Sequence, residues 1–122
     1  MARPAFEVWL DEELQIVRQR LNEEPDVELF RQVLAETRAC AARLRRPSVV
    51  RILAAGAWSG RMPRAVRAAA MVAMRDPELQ RIAIVNRRRL VRVLIRFLSV
   101  AAGLDKARVF SDEEAAVRWL LS

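Results

Sequence analysis

Apolar and polar positions change their period several times along the chain, and each change marks an element. Phe6, Val8 and Leu10 alternate with polar residues, and after the turn Asp11-Glu12-Glu13 the alternation resumes at Leu14, Ile16 and Arg18. Two period-two runs separated by a few polar residues predict a β-hairpin over 6–10 and 14–21. From about Asp26 to Leu44 the period becomes helical, with Val27, Phe30, Val33, Leu34, Thr37, Ala41 and Leu44 sharing a face. Val49, Val50, Ile52 and Leu53 form a near-continuous apolar run from Ser48 to Ala54, as expected of a strand covered on both faces. Pro63 to Met74 is an alanine-rich helix, Arg81 to Val85 a second buried strand, Arg87 to Ala102 a third helix and Arg108 to Phe110 a short strand. Ser111-Asp112-Glu113-Glu114 is a capping box opening a last helix through Leu121, which should pack through Ala115, Trp119 and Leu120.

Glycine and proline fall at the joints. Pro25 and Pro63 suit the first turn of helices, and Gly103 follows the third helix where a C′ glycine belongs. The resulting order is β-β-α-β-α-β-α-β-α. The fold expected is α/β, a mixed, mostly parallel five-stranded sheet with an N-terminal hairpin and flanking helices, in one domain over 1–122.

Composition narrows the function. Apolar residues make up 53% and charged residues 30% of 122 positions, a globular balance. Histidine is absent and Cys40 is the one cysteine, which removes Cys-His and Ser-His catalysis, and with the carboxylates scattered along the chain no metal site is expected. Cys40 lies on the apolar stripe of the first helix, where a structural thiol is expected. No apolar run approaches the ~20 residues of a membrane span, and residues 1–12 have no apolar leader segment, so a soluble cytoplasmic protein is expected. Net charge is +7, and Lys106 is the sole lysine among 22 basic residues. That charge favours acidic proteins, anionic lipid or nucleic acid; the chain has no tyrosine and no helix-turn-helix pattern, which counts against nucleic acid.

The C-terminal half carries a resemblance. RDPELQRIAIVNRRRLVRVLIRFLSVAAG followed by ARVFSDEEAAVRWLL is a strand ending in Ala-x-Val, a helix, a short strand ending in Phe110, an acidic helix start and a Trp119-Leu120 close. This pattern, with the N-terminal hairpin, resembles the STAS domain and in particular the stand-alone SpoIIAA-like proteins. The resemblance implies a non-enzymatic module that binds protein partners such as anti-sigma-type kinases, or holds a small, lipid-like ligand, without a cofactor. It also implies a regulatory serine in an Asp-Ser-Ser-Gly setting after the third strand. The matching stretch is AAGAWSGRMPRAVR, where Ser59-Gly60 keeps the Ser-Gly pair and Ala57 and Trp58 replace the two residues before it.

Each candidate site has two readings. Ser59 is either a phosphorylation site, its phosphate held by Arg61, Arg64 and the start of the Pro63 helix, or an ordinary loop serine. Trp58 is either an aromatic anchor for a partner or a lid on the core. Arg88, Arg92 and Arg96, at i, i+4 and i+8, are either a solvated stripe or a face for an acidic partner or anion. The apolar side of that helix is wider than packing on a sheet needs, so Val93 or Ile95 should stay partly exposed. Together with Met71 on the small-residue helix, they mark a homodimer face, a partner groove or a lipid pocket. The expected function is a STAS-type protein-interaction module; the alternative is a small carrier of an apolar or anionic ligand.

Overall fold

The computed structural model describes residues 4–24, 26–45, 48–53, 63–77, 79–101, 103 and 105–122. Along them run β1 (Phe6–Asp11), β2 (Ile16–Leu21), α1 (Val27–Ala41), β3 (Ser48–Leu53), α2 (Arg64–Met74), β4 (Arg81–Val85), α3 (Arg89–Ala101), β5 (Ala107–Phe110) and α4 (Glu113–Leu120). Pro25, Pro47, Trp58, Ser59 and Arg61 lie outside the described residues.

The hairpin turn is built by Asp11. Its Oδ1 accepts from the Leu14 amide at 3.0 Å and its Oδ2 from Arg18 Nε at 2.9 Å, while its carbonyl accepts from the Gln15 amide. Gln15 takes φ +58°, a left-handed conformation that strains any residue with a Cβ. The second strand therefore starts at Ile16, not Leu14, which belongs to the turn. Arg18 also reaches Glu113, tying the turn to the first turn of α4.

Side chains set the helix starts. Asp26 and Asp112 sit in extended backbone and cap α1 and α4, accepting from the amides of Leu29 at 2.7 Å and Ala115 at 2.8 Å. The cap of α4 is thus Asp112 and not Ser111. Ala116 and Leu120 are its buried residues, whereas Ala115 is half-buried. Trp119, also half-buried, stacks 5.7 Å from Phe110, with the guanidinium carbons of Arg81 and Arg108 at 5.2 and 5.4 Å from its ring. Asn86 Oδ1 accepts from the Arg88 amide, an Asx turn that keeps 86–88 out of α3, so the helix begins at Arg89 and not Arg87. Gly103 closes α3 at φ +68°.

The strands pair in the order β1-β2-β3-β4-β5. Pairing is of two kinds: an antiparallel two-stranded ladder, β1 with β2, and parallel ladders from β2 to β5. Because the order never reverses, every crossover travels in one direction. Right-handed connections then put α1, α2 and α3 on the same face. One core cluster accordingly joins Val17, Val49, Ile82 and Ile84 of the sheet to Phe30, Val66 and Ile95. The opposite face holds a smaller cluster of Ile16, Ala83 and Val85 with Ala116 and Leu120 of α4.

The expected fold, a mixed, mostly parallel five-stranded sheet with flanking helices, is corrected in how its ladders and helices are arranged. The antiparallel pair and the parallel strands are distinct ladders, and the helices do not flank the sheet evenly. Three share one face, and among the described residues the eight-residue α4 is the helix that packs on the other, against β3, β4 and β5.

Two measurements check the hairpin. Gln15→Gly should relieve the left-handed strain and stabilise the protein by up to ~1 kcal/mol in urea unfolding, while Gln15→Val should destabilise it by ~1–2 kcal/mol. The Leu14 amide and then Arg18 hold the Asp11 carboxyl below its ordinary 3.8. That contribution is present above the unfolded value and lost as pH falls through the folded one. Stability should therefore drop less between about pH 5 and pH 2 in Asp11→Asn than in the wild type.

Candidate functional site

Between α2 and α3, above the sheet, lies a cavity of ≈ 360 Å³. That size falls in the ~300–1,000 Å³ range of small-molecule sites. Its described walls are apolar: Phe30 of α1, Met71 and Met74 of α2, Ile95 and Leu98 of α3, and Ile84 of β4. Arg51 of β3 forms part of the lining, Ser99 adds a hydroxyl, and the exposed Arg64 and Arg67 stand on the α2 side.

Strand alternation places Arg51 there. In β3 it shares the face of Val49, which faces the three-helix layer. The register sets Gln19 of β2 on one side of it and Ile84 of β4 on the other. Arg51 is only 6% exposed. Its Nε donates to Gln19 Oε1 at 2.6 Å, Gln19 Nε2 donates to Thr37 Oγ1 at 2.6 Å, and Thr37 Oγ1 donates to the Val33 carbonyl at 2.7 Å. Gln19 and Thr37 are each 1% exposed, so this relay runs through the core. The guanidinium carbon also lies 5.4 Å from the centre of the Phe30 ring.

Among the described residues no carboxylate pairs with Arg51. Burial pushes its pKa down from the ordinary arginine value to about 10, which leaves it cationic at neutral pH. A guanidinium carries five N–H donors, and among the described residues one has an acceptor. A buried cation without a counter-charge costs several kcal/mol. An anionic group entering the cavity would meet that cation in an environment of low polarity.

The structure sorts the sequence-predicted residues into two places. Arg64, Met71 and Ile95 come together at the cavity. Of Val93 and Ile95, one of which was expected to stay partly exposed, Val93 is the exposed one and Ile95 is buried. Arg88, Arg92 and Arg96 do not form one stripe, because Arg88 precedes the helix. Arg92 folds back and donates to the carbonyls of Asn86 at 3.1 Å and Arg87 at 2.7 Å, and Arg96 is exposed. Cys40 is half-buried against the core. Sequence reasoning missed Arg51, Gln19 and Thr37 as a set. Its one available signal was an arginine interrupting an otherwise apolar strand.

No group of three metal-ligating side chains occurs among the described residues. No helix among them is long and apolar enough to cross a membrane. No family model, curated protein or solved structure matches the chain.

Coupling within the relay is measurable. Gln19→Leu removes the acceptor of Arg51 and the donor to Thr37, and should cost about 1–3 kcal/mol in urea unfolding. Adding Arg51→Met should recover part of that loss, since no buried charge then needs an acceptor. Simple additivity of the two changes would show that the side chains are uncoupled.

Proposed function

We propose that the protein is a small carrier that binds an anionic amphiphile, an apolar body with one carboxylate or phosphate head, in the cavity between α2 and α3. The observation that carries this reading is Arg51, a buried guanidinium without a described counter-charge in the lining of an apolar cavity. The apolar walls would take the body of the ligand, and Arg51 would take the head, with Ser99 as a further donor. Arg64 and Arg67 would attract the anion from solvent. The reading is that of a binding protein. The described lining holds no carboxylate and no cysteine, so nothing there pairs a nucleophile with a base. The STAS-like pattern of the C-terminal half agrees with a ligand-holding module. The phosphorylation alternative rests on Ser59, outside the described residues.

Titration calorimetry with decanoate, decyl phosphate and decanol tests this. Both anions should bind the wild type at least about tenfold more tightly than the alcohol, a difference of ~1.4 kcal/mol. Arg51→Met should abolish that preference and retain decanol binding. Equal affinities for anion and alcohol in the wild type would sink the proposal. Decanoate affinity should be level from about pH 6 to pH 9. It should fall below about pH 5 as the ligand is protonated, and above about pH 10 as Arg51 loses its proton.

A further inference from the structure

The outward face of α3 is apolar where a surface helix is ordinarily polar. Val91, Ile95 and Ser99 point into the core, and Leu98 lines the cavity. On the other side Leu90 is 82% exposed and Phe97 68%, with Val93 and Val100 also exposed. At 100° per residue these four fall within an arc of about 80°, bordered on one edge by Arg89 and Arg96. Both arginines are exposed, and neither the first nor the last turn of α3 holds an acidic residue.

Charge is concentrated in the same part of the chain. Residues 61–101 contain ten arginines against Asp76 and Glu78, a balance of +8; the other residues carry 12 basic and 13 acidic groups, a balance of −1. The positive charge of the whole protein therefore belongs to the segment that includes α2 and α3. Asp76 is buried, and its carboxylate accepts from Arg38 at 3.0 Å.

We infer that the outer face of α3 docks on the surface of an anionic bilayer. Leu90, Val93, Phe97 and Val100 would enter the boundary between headgroups and acyl chains, and Arg89 and Arg96 would meet the lipid phosphates. A second copy of this chain fits the face less well. Two-fold pairing through α3 would bring arginine-edged helices together with no acidic residue on either to oppose them. A bilayer supplies the opposite charge and an apolar interior at once. Docking this way would bring the cavity, whose wall is the inner side of the same helix, close to the membrane. The inference does not depend on what the cavity holds.

Vesicle co-sedimentation of the full chain without added ligand is the test. The protein should bind vesicles of phosphatidylcholine with about one-third phosphatidylglycerol, and bind phosphatidylcholine alone at least about tenfold more weakly. Raising salt from about 0.1 M to 0.5 M should release much of it. Leu90→Ser with Phe97→Ser, and separately Arg89→Gln with Arg96→Gln, should each weaken binding about tenfold or more while circular dichroism stays unchanged. Phe97→Trp should gain a blue shift of emission on anionic vesicles alone. Equal binding to neutral vesicles, indifference to both double variants, or no blue shift would overturn the inference. So would a wild-type dimer in sedimentation that Leu90→Ser with Phe97→Ser converts to monomer, because a second copy would then cover the face. Decanoate binding to a chain that ignores vesicles would leave the carrier reading standing and this one refuted.

Discussion

Handedness governs this structure. Three β-strand-to-β-strand crossovers step in the same direction across the sheet, from β2 to β3, β4 and β5. Each must turn right-handed, so α1, α2 and α3 have to share one layer. The C-terminal helix, free of that constraint, covers part of the opposite face. The large core, the cavity and the exposed outer side of α3 all lie on the crowded side.

Within that layer the sheet brings a polar row under apolar helices. Gln19 and Arg51 stand side by side because parallel register pairs them, and Thr37 meets them because α1 lies across β2. A core built only for stability would place apolar residues at these points, since burying a cation without its counter-ion is costly. The relay lowers that cost by giving Nε an acceptor and the amide a partner. It does not supply a negative charge.

Among the described residues, α3, one of the helices that wall the cavity, also carries most of the exposed large apolar side chains. Its inner and outer sides are both apolar, separated by arginines that differ in their surroundings. Arg92 is taken up by the backbone carbonyls at the helix start, where it offsets the unfavourable placement of a cation near the positive end of the helix dipole. Arg89 and Arg96 remain in solvent beside Phe97. One element thus links the interior site to the surface.

Much of the element order was legible in the chain, because it depends on local periods and caps. The alternation of Phe6, Val8 and Leu10, the helical stripe through Phe30 and Val33, and the acidic start of α4 are near-neighbour patterns. Boundaries shifted where a side chain bonded backbone a few residues away, as Asp11 does at Leu14 and Asn86 at Arg88. The wide apolar girth of α3 predicted an exposed face, but periodicity alone could not decide between Val93 and Ile95. The packing of α3 over the sheet decided it. Arg51 was visible only as an interruption in an apolar strand. That it meets Gln19, 32 positions earlier, and lines a cavity beneath two helices follows from strand register and crossover hand. These join residues distant in sequence, so no local pattern encodes them and only the tertiary structure brings them together.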